Sequence, residues 1–426
     1  MRDEHLVDED LYLAVREEQL MRRLERAGFS RRRILKRSPR AVLLAGAARA
    51  AISPPRGVRG PRPIVKPLPP EWFVDHGSSA EMRWDAVAGL GYFIPNERFF
   101  VRDHSSTPLI DARTWTLSLW GDGLRAAPTR ANPFRFGYDE LCSLPAVEIP
   151  AFIECAGNGR SLFAGQQGTP ASGTQWGLGA VGVARWRGVP LAEVLERAGI
   201  VREAVDVMPW GLDAPYVTGG VDYGPVRRPL PVAKAGEAIL AYEMNGRPLP
   251  PDHGYPVRLV VPGWVGVASV KWVGQIQVSR VPLYSYWNTT SYSLQGSAYP
   301  SPVPLTGAAV KSAFELAWGA ALPNRPQILA GRSWSGLAPI KRVVVSTDGG
   351  ASWRPARLRP PNLPDAWVRW ECSWSPRRPG NYILQARATD HDGRTQPATV
   401  PLNAHGYLFG AVVKHPVTVW GTFAPR

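Results

Sequence analysis

The residue best equipped for chemistry is Cys155, in the stretch Phe152-Ile153-Glu154-Cys155-Ala156-Gly157-Asn158-Gly159-Arg160-Ser161. An apolar run that reads as a strand precedes it, and a glycine- and asparagine-rich turn follows. That order places a thiol at a strand end, where the backbone can approach a ligand closely. A basic residue, Arg160, follows five positions on. A soft thiolate suits a transition metal whose other donors are sulfur. Taken alone, a single cysteine is more often an inert, buried side chain.

Other chemistries have weaker support. Cys142, Cys155 and Cys372 are the three cysteines, with no Cys-x-x-Cys pair. Zinc ribbons and thioredoxin-type exchange therefore lose their spacing signature, while a Cys142–Cys372 disulfide stays open as a pairing. The His-Glu-x-x-His and Gly-x-Ser-x-Gly signatures of zinc hydrolases and serine hydrolases are missing. Gly177-Leu178-Gly179-Ala180-Val181-Gly182 has dinucleotide-loop spacing, but Arg185 to Pro190 leaves no room for the helix such a loop must open.

The context of Cys155 changes its reading. Glu154-Cys155-Ala156-Gly157-Asn158-x-Arg160 resembles the molybdenum-ligating segment of the sulfite oxidase family of molybdopterin-dependent oxidoreductases. The resemblance runs in order from about Trp72 to Thr418. Phe99-Phe100-Val101-Arg102-Asp103-His104 is similar to the family's pterin and substrate segment. Thr174-Gln175-Trp176-Gly177 is similar to the segment of its active-site tryptophan. Asp252 to Arg258 with Pro262-Gly263, and Ser269-Val270-Lys271-Trp272, resemble its pterin-phosphate segments. Tyr286-Trp287 and Tyr292 lie where the family places its active-site tyrosine.

The resemblance implies roles. Cys155 would be the protein ligand to molybdenum, beside the dithiolene sulfurs of one pyranopterin. Phe100, Val101, Arg102, Asp103, His104, Asp213, His253, Arg258, Ser269, Val270 and Lys271 would hold that cofactor. Arg102, Arg160, Trp176 and His405 would face the substrate. Cys155, Tyr292, Arg160 and Arg102 would form the catalytic set. Guanidinium groups suit oxyanions because they donate paired hydrogen bonds, and a phenol can tune proton transfer at a reacting oxygen. Without the resemblance, Tyr292 reads as one member of an aromatic-rich stretch, and Arg102 and Arg160 read equally as structural ion-pair partners.

Leu402-Asn403-Ala404-His405-Gly406-Tyr407-Leu408 resembles another family segment, but His405 stands where sulfite oxidases carry an oxyanion-binding arginine. The implied activity is oxidation of sulfite, or a related sulfur oxyanion, to sulfate by oxo transfer. No haem or flavin segment is recognisable, so electrons would leave to a separate carrier such as a c-type cytochrome. Two other readings stand: the molybdenum subunit of a sulfane dehydrogenase, and a secreted binding or scaffold protein with an inactive site.

The elements that must position these residues read as α+β. The 43 prolines and 42 glycines among 426 residues imply many turns and short strands. Pro190 to Ala198 predicts a helix, with proline at its start and Gly199 after its end. Pro256 to Pro262 and Ala268 to Val278 predict strands. From Ser301 onward the spacing changes. Ile340 to Ser346, Ser352 to Leu358, Trp367 to Trp374 and Asn381 to Thr389 predict short strands, with turns at Asp348-Gly349-Gly350 and Asp392-Gly393. The expected architecture is a sulfite-oxidase-type molybdopterin domain over 63–300, followed by an immunoglobulin-like β-sandwich over 301–426 that in relatives mediates homodimerisation.

Residues 1–62 differ in character, with 15 basic and 8 acidic side chains, about half of the chain's formal charge of +15. Ser30-Arg31-Arg32-Arg33-Ile34-Leu35-Lys36 resembles a twin-arginine export signature, and the modest apolar run Ala41 to Ile52 follows. An exported protein is expected. No apolar run reaches the roughly 18 residues that span a bilayer, and no zinc-finger spacing or RNA-binding signature points to nucleic acid.

Overall fold

A computed structural model describes residues 63–421, so the export-like segment lies outside the described residues. The N-terminal part holds two larger sheets. In one, Leu230–Pro231, Asp206–Gly211, Val273–Ser279, Thr116–Trp120 and Phe134–Gly137 lie side by side, and Val273–Ser279 runs parallel to Thr116–Trp120. In the other, Val147–Glu154, Val181–Pro190, Ile239–Met244 and Arg247–Pro248 pair antiparallel, with Arg258–Val260 also on Ile239–Met244.

The strand Val147–Glu154 begins exposed and ends buried. Pro150 to Ile153 is a continuous apolar run, as expected for a strand covered on both faces. That run carries the chain into the interior just before Cys155. The expected helix is present as Leu191–Arg197, and Gly199 follows at φ +79°. The strand expected from Ala268 starts later, at Val273. Gly266–Ala268 forms a 3-10 turn and Trp272 sits at φ +51°, which breaks extended backbone across Ser269 to Trp272.

The segment with dinucleotide-loop spacing has a different use. The Glu81 carboxylate accepts the backbone N–H groups of Gly177 and Gly179, each at 2.9 Å. A Cβ on Gly179 would lie 1.6 Å from the Met82 carbonyl oxygen. The strand Val181–Pro190 follows directly, so no helix opens there.

The C-terminal part forms two facing sheets. One contains Lys311–Phe314, Gln327–Trp334, Val368–Trp374 and Arg357–Arg359. The other contains Ala320–Pro323, His415–Trp420, Gly380–Asp390, Ile340–Ser346 and Arg354–Pro355. Val343, Val345, Val368, Trp370, Leu384 and Val417 fill the space between them. The strand Tyr299–Pro304 runs across residue 300, where the sequence pattern changes.

One apolar cluster joins the two parts, combining Trp84, Phe99, Phe152 and Trp186 with Trp334, Trp367 and Phe409. Each indole removes roughly 200 Å² from water, about 5 kcal/mol at ~25 cal/mol per Å² before entropy costs. The N–H groups of Trp84 and Trp367 are also satisfied across the seam. Trp84 Nε1 donates to Phe314 O at 2.7 Å, and Trp367 Nε1 donates to Tyr92 O at 2.9 Å. Tyr92 Oη returns a bond to Trp367 O at 2.6 Å. Cys142 and Cys372 are free thiols in different clusters, so the disulfide left open by the sequence is not made.

Candidate active site

Cys155 follows the last residue of its strand and is held by backbone bonds on both sides. Its N–H donates to Ala180 O at 2.9 Å, and its carbonyl accepts from Asn158 N at 2.9 Å. The turn continues through Gly159 at φ +87°, where a Cβ would press on Phe409. It then reaches Arg160, whose Nε donates to His405 O at 2.9 Å and Nη1 to Thr174 O at 2.7 Å. One short turn therefore presents both the sulfur and a guanidinium.

Two adjoining cavities meet at Cys155. The first encloses about 720 Å³, including its open mouth. Its lining includes Phe100, Arg102, Asp103, His104, Cys155, Asp213, Asp252, His253, Arg258, Ser269, Val270, Lys271, Trp272 and Tyr292. The second, about 730 Å³ on the same basis, is lined by Arg102, His104, Cys155, Arg160, Trp176, Tyr216, Trp287, Tyr292, His405 and Tyr407, among others. Arg102, His104, Cys155 and Tyr292 border both. Every residue assigned a cofactor or substrate role from the sequence is brought to one of the two cavities except Val101. Val101 packs with Ile64, Phe73 and Ala80 instead.

The first cavity is rich in buried charge. Lys271 Nζ bonds the Asp103 carboxylate and donates to Asp252 O at 2.7 Å. Burial pushes the Asp103 carboxyl up and Lys271 down, despite their attraction. Arg258 has no carboxylate partner. Its Nη1 and Nη2 donate to His253 O (3.1 Å) and Ser269 O (3.0 Å), and its Nε is buried without a partner. Burial lowers its pKa to about 9. Burial also holds His253 well below the usual histidine range, and the Lys66 and Lys271 charges add to this. Asp213 accepts from Val226 N at 3.1 Å through Oδ2, while its buried Oδ1 has no partner and burial raises its pKa to about 6.

These orphans test the fit of a pterin cofactor. An enclosed guanidinium with a free donor suits an anionic phosphate, and a buried carboxylate oxygen without a donor suits a pterin N–H. Among the described residues, no group of three or more His, Cys, Asp or Glu side chains could hold a metal ion. The donor at Cys155 is a single sulfur, which fits a metal carried by sulfur donors of its own. The residues present therefore fit the group that the sequence implies.

The second cavity is walled by aromatic rings. Tyr292 stacks on Tyr407 with centroids 5.2 Å apart and planes 8° apart. The Tyr292 oxygen lies 2.9 Å from His104 Nε2. Burial raises the Tyr292 phenol, and burial also holds His104 well below the ordinary histidine range. Trp176 is buried, edge-on to Phe100 at 6.3 Å. His405 turns its Nε2 toward Thr290 O at 3.1 Å, and burial lowers its pKa. The cationic side chains of this cavity are thus Arg102 and Arg160.

Several site residues were not singled out from the sequence. Asp252 accepts Val65 N (2.9 Å), Lys66 N (2.8 Å) and Thr107 Oγ1 (2.6 Å). Lys66 Nζ bonds Phe99 O and lies 3.4 Å from His253 Nε2, and burial lowers its pKa to about 7. Tyr407 and Asp252 lie inside the segments quoted for His405 and His253. A closer reading of those segments would have found both. Lys66 gives no local signal.

Fold and site together define a molybdopterin-binding oxidoreductase. Residues 104–287 match the family model described as the oxidoreductase molybdopterin binding domain. Human mitochondrial sulfite oxidase is 35% identical over 343 residues, covering 75% of this chain and 60% of that protein. Sulfite oxidase of Gallus gallus is 34% identical over 328 residues, covering 72% of this chain and 69% of that protein. The crystal structure of the sulfane dehydrogenase SoxCD from Paracoccus pantotrophus is similar with a TM-score of 0.69 and 27% identity, over 80% of this chain and 85% of that one. The chain belongs to the sulfite oxidase family. It spans about 60% of the length of its human relative.

Proposed function

We propose that this chain oxidises sulfite to sulfate with a molybdenum–pterin cofactor ligated by Cys155, and passes the electrons to a separate carrier such as a c-type cytochrome. One observation carries the reading: Cys155 stands where a cavity of buried, unsatisfied polar groups meets one holding Arg102, Arg160 and Tyr292. When bound, the cofactor supplies oxygen-atom transfer and storage of two electrons.

The chain's own residues do the rest. Arg258, Lys271 and His253 would hold the phosphate end of the cofactor, and the unpartnered Asp213 oxygen would accept a donor from its pterin. Arg102 and Arg160 hold the oxyanion from two sides, with Arg160 oriented by its bonds to two backbone carbonyls. Tyr292, held by His104, is placed to donate a hydrogen bond to the substrate oxyanion. Trp176, Tyr407 and Trp287 exclude bulk water, which strengthens these charges. The remaining assignments follow the sequence reading: residues 1–62 direct export, 63–300 form the catalytic unit, and 301–426 form an immunoglobulin-like unit for self-association.

A second reading is oxidation of protein-bound sulfane sulfur. His405 favours it, because the second cavity has one fewer cation than a sulfite oxidase pocket, and SoxCD is a structural relative. The test is metal content and turnover of loaded protein with sulfite and cytochrome c. About one molybdenum per chain, with turnover abolished in Cys155→Ser, is expected. Metal without sulfite turnover moves the assignment to the sulfane reading. No molybdenum in protein from a cofactor-competent host overturns both.

A further inference from the structure

Side chains alternate along a strand. Because Cys155 faces the cavities, the residue before it, Glu154, points the opposite way, into the C-terminal part. There its carboxylate is fully engaged. Oε1 accepts from Lys311 Nζ at 2.7 Å and from Asn158 Nδ2 at 2.9 Å. Oε2 accepts from Trp334 Nε1 at 3.0 Å. Lys311 Nζ also donates to Asn158 O at 2.8 Å, and Asn158 Oδ1 accepts Ala180 N at 3.1 Å. All four side chains are buried. Lys311 and Trp334 lie on neighbouring strands of one C-terminal sheet.

This network grips the Cys155 turn at three points: the residue before the sulfur, the side chain of Asn158, and the carbonyl of Asn158 two residues ahead of Arg160. A buried ion pair is a poor source of net stability compared with apolar packing, but it fixes geometry when every bond is made. We propose that Lys311 is a positioning residue for the metal-binding thiol: from the C-terminal sheet it fixes Glu154 and Asn158, and so sets the turn that presents Cys155 and Arg160. The C-terminal part is then part of the active site as well as a unit for self-association. The inference rests on the reading of Cys155 as the metal ligand.

The experiment compares the full-length parent chain with Lys311→Met, the charge-neutral Glu154→Gln/Lys311→Met, and Cys155→Ser. Two properties are read well below every melting point. One is the alkylation rate of Cys155 in cofactor-stripped protein, resolved from Cys142 and Cys372 by peptide mapping. The other is molybdenum content with the spin-resonance spectrum of the reduced metal. In Lys311→Met, local opening of the turn is expected to raise alkylation about tenfold and broaden the spectrum. The double variant is expected to regain most of the parent's melting temperature without regaining its alkylation rate, because Asn158 and Trp334 donate to different oxygens of Glu154, and in glutamine one of these becomes an NH2 that faces a donor. Should Lys311→Met fail to fold, the double variant decides. Alkylation that simply follows melting temperature, with the double variant like the parent in both, overturns the proposal. Loss of metal in Cys155→Ser alone, with the Lys311 variants like the parent, overturns it while sparing the ligand assignment. Metal retained in Cys155→Ser overturns the ligand assignment itself.

Discussion

The phenol oxygen of Tyr292 lies 2.9 Å from Nε2 of His104, and both side chains border the two cavities that meet at Cys155. Tyr292 reaches this place from a strained backbone, at φ +52°, a conformation that non-glycine residues keep only where their surroundings enforce it. Removal of the hydroxyl in Tyr292→Phe leaves the ring stack on Tyr407 in place. Turnover is expected to fall about 100-fold, the lower range for loss of one preorganised hydrogen-bond donor to a reacting oxyanion. The melting temperature should move only slightly. Steady-state kinetics with parallel calorimetry check this.

Arg258 is buried with a free Nε and no carboxylate partner. Such a charge opposes folding until an anion arrives. Arg258→Met removes an unpaired buried charge at the cost of two hydrogen bonds to backbone carbonyls, so cofactor-free protein should keep close to the parent's stability. Cofactor retention should fall steeply. Denaturant unfolding of stripped protein, with molybdenum content of loaded protein, separates the two effects.

Asp213 keeps its proton up to a pH of about 6 in the folded protein, against 3.8 for an ordinary aspartate. The folded state therefore holds more protons than the unfolded state between these values, and stability falls as pH rises through that window. The full effect is at most about 3 kcal/mol, at 1.36 kcal/mol per pKa unit. Asp213→Asn removes it. In stripped protein the variant's stability relative to the parent should rise as pH climbs from 4 to 6 and stay level above. Unfolding across that range checks the sign.

His405 occupies a position that carries an arginine in sulfite oxidases, and its ring nitrogen is turned to the Thr290 carbonyl. His405→Arg adds a third guanidinium to the oxyanion cavity. If sulfite is the substrate, its KM should fall about tenfold, the effect of one partly solvated charge-assisted hydrogen bond. Unchanged sulfite kinetics would favour the sulfane reading.

Gly179 has no room for a side chain, because a Cβ would lie 1.6 Å from the Met82 carbonyl oxygen. Gly179→Ala must displace the strand Ser79–Met82 and break the Glu81 bonds to Gly177 and Gly179. A loss of more than about 3 kcal/mol is expected, in line with strain combined with orphaned buried donors. Thermal melting reads it directly.

Much of the site was legible because its chemistry is written in short segments. Glu154 to Arg160, Phe99 to His104 and Asp252 to Arg258 each place their residues within one turn or strand end, so the family resemblance of each short segment pointed to the cavities. What stayed hidden depends on distant pairing. Lys66 meets His253 across 187 residues, and Lys311 meets Glu154 across 157. Neither pair leaves a local mark. The strand expected from Ala268 failed for a related reason: the same valines and isoleucines that favour extension sit beside a backbone bent to aim Lys271 inward. Among the C-terminal strands, Ile340–Ser346, Val368–Trp374 and Gly380–Asp390 lie where alternation and Asp-Gly turns put them. The stretch expected over Ser352 to Leu358 is split between Arg354–Pro355 on one sheet and Arg357–Arg359 on the other. Lys311–Phe314, Ala320–Pro323, Gln327–Trp334 and His415–Trp420 were not read from the sequence.

The reciprocal bonds between Tyr92 and Trp367, with the Trp84 indole closed by Phe314, have a practical consequence. Every acceptor here is a main-chain carbonyl, so a chimaera that exchanged the C-terminal sheets for those of a relative depends on backbone register. It keeps the bonds of Trp84 and Tyr92 only where the incoming carbonyls fall in the places of Phe314 O and Trp367 O, and carrying the segment 84–92 along with the sheets secures that match.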